Sequence, residues 1–256
     1  MSDSMTMLRR HFRHMQRYPS LTLMLVGLPV IFLLMFVYVF GGALGAGIGN
    51  PAGGRAEYLN YVAPGIILMT IASAAQGTAI TVAMDMTEGI IARFRTMAIF
   101  RPSVLTGHVL GSMVQTGLSL AVVIGVALLI GFGPTAGPVE WIAAIGVLAM
   151  ITLSLTWLSV AVGLASKTVE AASNLPMPLM LLPFLGSGFV PTDSMPAGIR
   201  WFAEYQPFTP MIETLRGHLM GTPNGNSAII AAAWCVAITL ACFLWARKAF
   251  DRDPAR

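Results

Sequence analysis

The sequence predicts an all-α membrane protein, on three observations. Apolar residues make up 56% of the 256 residues and charged residues only 10%, against about 25% charged in an average soluble domain. The apolar residues gather into runs of about 20 or more, the length a helix needs to cross ~30 Å of hydrocarbon. Twelve of the fifteen Lys and Arg residues fall on one side of those runs.

Six runs are expected to span: Leu21 to Gly42, Leu59 to Met84, Val104 to Gly131, Val139 to Ala165, Ala171 to Val190 and Ser227 to Ala246. The first follows a basic tail, but its apolar stretch is about twice the core of a secretion signal, so a retained span is expected. In the second, Thr70, Ser73, Gly77 and Thr81 recur at steps of three and four on one helix face, with Gln76 on its flank. That face is either one wall of a substrate path or a close packing seam. Gln76 is the stronger path residue, because a long amide in hydrocarbon needs a partner. In the third, Gly107, Gly111, Gln115 and Ser119 recur every four residues as a packing seam, and His108 reads as an interfacial hydrogen-bonding residue.

The fifth run contains Pro176, Pro178 and Pro183. Each removes a backbone donor, so a kinked span is expected. Met177, Met180 and Phe184 on this run join Ser73 and Gln76 as substrate-path candidates; methionines there either line an adaptable pocket or fill core gaps. The sixth run holds both cysteines, Cys235 and Cys242, seven residues apart on one helix. They can neither reach each other nor form a metal site of the usual spacing, and read as small buried hydrophobes.

Six spans put both termini on one face. Lys and Arg resist translocation, so the basic face is cytoplasmic, as expected of a multi-pass protein of a bacterial inner membrane. The basic balance then reflects orientation and anionic lipid, not nucleic acid. The chain divides into a cytoplasmic segment (1–20), a membrane domain (21–246) and a cytoplasmic tail (247–256). Two connections are informative. On the cytoplasmic side, 86–100 reads as a short amphipathic helix with Ile90, Ile91, Phe94 and Met97 on its apolar face, inside a link that carries Asp85, Glu88, Arg93, Arg95 and Arg101. On the outer side, 191–226 mixes Trp201, Phe202, Phe208 and Leu215 with Asp193, Arg200, Glu204, Glu213 and Arg216. It is too polar to span and too apolar to be a free loop, so re-entrant helices between spans five and six are expected, with breaks at Pro207 and Pro210.

Several activities are excluded by what the sequence lacks. Lys167-Thr168 follows Ser166, so there is no Gly-Lys-Ser/Thr phosphate loop. Neither a His-Glu-x-x-His nor a Gly-x-Ser-x-Gly pattern occurs, and no metal site or cofactor of the chain's own is expected. All eleven acidic residues read as loop, tail or span-end positions, whereas proton-driven carriers usually keep a carboxylate inside the membrane. An ion- or proton-coupled secondary multidrug carrier, or a non-catalytic membrane scaffold, is therefore the alternative rather than the leading reading.

Two segments together resemble one family. The stretch Asp85-Met-Thr-Glu-Gly-Ile-Ile-Ala-Arg-Phe-Arg-Thr-Met, continuing to Arg101 and Val104-Leu-Thr-Gly107, is similar to the cytoplasmic signature of type-2 ABC exporter permeases, the daunorubicin/doxorubicin-resistance permease-like subfamily in particular. The second match runs from Pro183 to Gly221 through Ser187-Gly-Phe-Val-Pro191, Gln206-Pro-Phe-Thr-Pro210 and Glu213-Thr-Leu-Arg216. The resemblance implies a permease subunit that exports an amphipathic drug, antibiotic or lipid-like compound. It implies a partner ABC ATPase on a separate chain, which carries ATP and Mg, and a second permease subunit, identical or related. It further implies that 86–100 is a coupling helix with Glu88, Arg93 and Arg95 as its polar anchors, and that Met5 to Arg17 is an amphipathic interfacial helix. Spans two and five would face a central path, closed externally by the segment carrying Glu204, Glu213 and Arg216.

Overall fold

A computed structural model describes residues 19–45, 54–87 and 101–251, which contain helices and turns and no strand. Helix α1 (Pro19–Met35) passes through a π-helical stretch (Phe36–Phe40) into a last helical turn, Gly41–Gly45. Three long helices follow: α2 (Gly54–Thr87), α3 (Arg101–Leu129) and α4 (Pro138–Ala165). Short helices α5 (Val169–Asn174) and α6 (Met177–Leu181) lead through turns to α7 (Ala197–Tyr205) and α8 (Phe208–Leu219), and α9 (Gly225–Asp251) closes the bundle. Met5 to Arg17 and residues 88–100, with Glu88, Arg93 and Arg95, lie outside the described residues.

Among the described residues, five helical stretches are long and apolar enough to cross a membrane: Val26–Gly45, Gly54–Thr87, Thr106–Leu129, Pro138–Ala165 and Gly225–Ala249. The remaining expected span, Ala171 to Val190, is not one helix. A proline has no N–H to give, and its ring clashes with the carbonyl four residues back. The chain accordingly leaves helix after Asn174, resumes for Met177–Leu181, and ends in turns.

Helix α2 is the axis of the fold. It has 34 residues, roughly 50 Å of helix, and 83% of its most apolar window is buried, against 17% for α9. Around it pack α1, α3, α4, α5 and α8. Its Tyr58, Leu59, Ile66, Ile67 and Leu68 form the main core with Leu33 of α1, Leu155 of α4, and Phe208, Met211 and Leu215 of α8. A second apolar cluster joins Val82, Val109, Trp157, Val160, Leu164, Cys242 and Ala246 near the other end of α2. The start of α2, the α3–α4 turn and the end of α8 share one end of the bundle: Gly133 N–H donates to Asn60 Oδ1 (3.0 Å) and Ala136 N–H to the Leu219 carbonyl (3.2 Å).

The segment 191–226 is less superficial than its charges suggest. Helix α7 is largely exposed, but α8 buries Phe208, Met211, Ile212, Leu215 and Leu219 in the core. The chain breaks at Gln206–Pro207. Pro210 makes no break, because it sits in the first turn of α8, where backbone N–H groups have no intrahelical acceptor to lose.

At one point the backbones of α2 and the broken segment touch. A Cβ on Gly65 would lie 2.6 Å from the Gly188 carbonyl oxygen, closer than any side chain tolerates. Gly65→Val is therefore expected to cost about 1–3 kcal/mol through overpacking and to lower the thermal midpoint of the detergent-purified protein by several degrees. A wild-type midpoint would show that this approach does not hold the bundle.

Candidate functional site

A broken helix leaves carbonyl groups with no intrahelical donor, and when they are buried they need another. Here four carbonyls of the segment 173–189 take side-chain donors from surrounding helices. Gln76 Nε2 of α2 donates to the Ser173 carbonyl (2.8 Å), and Gln206 Nε2 to that of Leu182 (2.8 Å). Arg216 Nη2 of α8 donates to the Ser187 carbonyl (2.6 Å), and the Tyr58 hydroxyl to that of Phe189 (3.4 Å).

Arg216 is the most heavily used of these donors. Its Nε and Nη2 also reach the Tyr61 carbonyl (3.3 and 3.1 Å), its Nη1 pairs with Glu213 Oε1 (2.6 Å), and its guanidinium lies 3.9 Å from the Tyr61 ring centroid. One planar fork thus ties α2, the broken segment and α8 together, a task that suits guanidinium and not ammonium. Beside it, Gly186 leaves room for Gln206: a Cβ there would overlap Gln206 Nε2 and lie 2.7 Å from Thr209 Oγ1.

Aromatic side chains line the other side of the same segment. Phe184 and Phe189 stack in parallel at 4.2 Å, with Phe36 4.5 Å from Phe189 and Phe32 5.7 Å from Phe184. Phe184 thus packs the broken segment against α1.

The other candidates divide. Ser73 is buried within α2; nearby, Thr70 and Thr81 donate their hydroxyls to the carbonyls of Ile66 and Gly77 in their own helix. Gln76 is half-buried. From Val62 to Ala75 every residue of α2 is buried, and half-buried positions resume at Gln76, Ile80, Thr81, Met84 and Met86, with Gln76, Ile80 and Met84 aligned at steps of four. Met177 is 56% exposed, and Met180 packs partly buried against the core. Glu204 belongs to a separate, exposed network: Arg200 bonds it at 2.7 Å and Asp193 at 2.6 Å. The hydrogen bond to Glu204, and then the charge of Asp193, raises the Arg200 pKa above its ordinary value.

At the opposite end, Asp85 differs from its sequence reading as a loop residue. It lies near the end of α2, buried, with Oδ2 3.3 Å from His108 Nε2 of α3. The sequence marks neither Tyr58 nor Tyr61 as functional, and it marks Gln206 only as the amide of the Gln-Pro-Phe-Thr-Pro motif. Among the described residues no three His, Cys, Asp or Glu side chains are grouped to hold a metal.

These features define an apolar helical membrane bundle with one proline-broken, polar-braced segment. The chain belongs to the ABC-2 type transporter family, whose family model matches residues 3–220. It is similar to the daunorubicin resistance ABC transporter permease protein DrrB1 of Streptomyces coeruleorubidus, 29% identical over 223 residues that cover 86% of this chain and 76% of the relative. It is also similar to the probable doxorubicin resistance ABC transporter permease protein DrrC of Mycobacterium tuberculosis, 23% identical over 215 residues that cover 84% and 76%.

Replacing Arg216 by Lys keeps a cation beside Glu213 but removes the fork. Hydrogen bonds to charged groups contribute about 1.5–3 kcal/mol each, so Arg216→Lys is expected to destabilise the purified protein by about that much for each carbonyl left unserved. Equal thermal midpoints for the Lys variant and the wild type would rule out the fork as the tie.

Proposed function

We propose that this chain is the permease subunit of an ATP-driven exporter that moves amphipathic, drug-like small molecules outward. The observation that carries this reading is the transporter-family match over 3–220, on a chain whose described part is mostly apolar helix. The relatives' names, which refer to resistance to daunorubicin and doxorubicin, support the substrate class. ATP and Mg are handled by an ATPase on another chain, which seats residues 86–100 with Glu88, Arg93 and Arg95 as anchors. A second permease subunit, identical or related, completes the path.

In this arrangement the segment 169–190 is the sixth crossing, and both termini are cytoplasmic. Its hydrogen bonds support this: it meets α2 at Gln76 and again at Tyr58, positions about 18 residues or roughly 27 Å apart along the helix, close to the ~30 Å of hydrocarbon. The path runs between the two subunits along the stripe of Gln76, Ile80 and Met84 and the exposed side of the broken segment, Leu175, Met177 and Leu181. The Arg216 joint and α7–α8 close its outer end.

Two experiments test this reading. Lys167→Cys and Asp193→Cys, each in a Cys235→Ala, Cys242→Ala background, should label from opposite faces of the membrane with an impermeant maleimide. Labelling from the same face would remove the sixth crossing. Co-expressed with a cognate ABC ATPase, the chain should co-purify with it and confer ATP-dependent drug export, and Glu88→Ala with Arg93→Ala should abolish export while the protein still reaches the membrane. Wild-type export by that variant would displace these residues from coupling.

A further inference from the structure

Helices α2 and α3 emerge on either side of residues 88–100, so any force applied to that connection reaches the bundle through their adjoining ends. Those ends are tied by polar contacts. Asp85 is the one buried carboxylate among the described residues, and it lies 3.3 Å from His108, with side chains only 12% and 15% exposed. Deeper along the same antiparallel seam, Thr78 Oγ1 and Ser112 Oγ are 2.9 Å apart and both buried. Small buried residues on α3, Gly107, Gly111, Ser112 and Thr116, let the two helices approach closely. A polar pair withdrawn from water resists separation more than an exposed one, because little water is at hand to replace the contact.

We propose that the Asp85–His108 pair is the positioning contact that makes α2 and α3 move as one body when the partner ATPase acts on the connection between them. The inference rests on the permease reading and adds to it: the ATPase drives a locked pair of helices, and the axial α2 carries the motion from there to the segment it braces at Gln76 and Tyr58. Apolar packing around Val82 and Val109 in the neighbouring cluster sets the distance between the helices, while the Thr78–Ser112 hydrogen bond and the Asp85–His108 contact beyond it set their register.

The test uses the whole complex reconstituted with its ATPase in liposomes, read as drug exported per ATP hydrolysed. The wild-type complex is the control for the underlying reading: absence of ATP-dependent export there would overturn the permease assignment itself. Given export by the wild type, Asp85→Asn and His108→Gln should each keep ATPase association and hydrolysis but lower export per ATP about fivefold or more. The double variant should fall no further than the worse single one. Asp85→Cys with His108→Cys, in a Cys235→Ala, Cys242→Ala background, should likewise be poorly coupled until a short bifunctional thiosulfonate links the two positions, and the link should restore coupling. Unchanged export per ATP in the single variants, losses that multiply in the double variant, or a link that abolishes export would each overturn the inference. If the single variants fail to reach the membrane, the linked pair decides by the same two outcomes.

Discussion

The interaction on which the rest of the structure depends is the satisfaction of carbonyl groups along 173–189. Three prolines within eight residues prevent a continuous helix there, and the carbonyls freed by the break need donors from elsewhere. The donors must then come from other helices, at fixed heights. Helix α2 supplies Tyr58 and Gln76 and, through Gly65, the close approach that lets them reach. That requirement favours α2 at the centre of the bundle. Helix α8 brings Arg216, and the turn before it brings Gln206. This draws α8 back into the core although it carries Glu213 and Arg216, and leaves α7 outside, where its exposed Trp201 and Tyr205 suit a membrane–water interface.

The long helices were legible because composition and length suffice to announce them. Val139 to Ala165 was read almost to its observed limits of Pro138–Ala165. The ends of α2 were not: hydropathy falls at Met84, but backbone hydrogen bonding continues to Thr87 and carries Asp85 inside the helix. Hydropathy reports what lies beside the chain, whereas helix length reports what the backbone does, and the two part wherever a polar side chain finds a buried partner. The prolines of the fifth run were equally plain, and with them the break. What the sequence could not disclose is where the freed carbonyls turn, since Ser173 meets a donor 97 residues away and Ser187 one 29 residues away. For the same reason α8 looked superficial. Glu213 and Arg216 are charged in the sequence, but three residues apart on a helix they neutralise one another, and the guanidinium finds an aromatic face on Tyr61.

The candidate site was legible in its members more than in their roles. Gln76 drew notice because a buried amide needs a partner, and its partner proves to be a backbone carbonyl within its own chain. Bracing and path lining are compatible at this position. Gln76 is where α2 first becomes half-open after a fully buried stretch, so the same residue that holds the broken segment also stands at the start of the half-buried stripe. Glu204 was grouped with Glu213 and Arg216 by sequence proximity, but the turn at Gln206–Pro207 separates it into the exposed network with Arg200 and Asp193.

The two kinds of contact in this bundle differ in what it takes to change them. Separating α2 from α4 would give up close side-chain packing spread along both helices, which in a bilayer rests on van der Waals contact and not on expulsion of water. The joint at Arg216 is different: it consists of a few directional bonds from one side chain to two carbonyls and a carboxylate. Moving a two-state equilibrium from 1:99 to 99:1 takes about 5.5 kcal/mol, and hydrogen bonds to a charged group contribute about 1.5–3 kcal/mol each. Two or three such bonds match the size of such a switch. The physical division of labour in a transporter of this construction follows from that difference. In the proposed export cycle, apolar helix packing holds the frame, and the polar ties of the proline-broken segment are the contacts small enough to exchange.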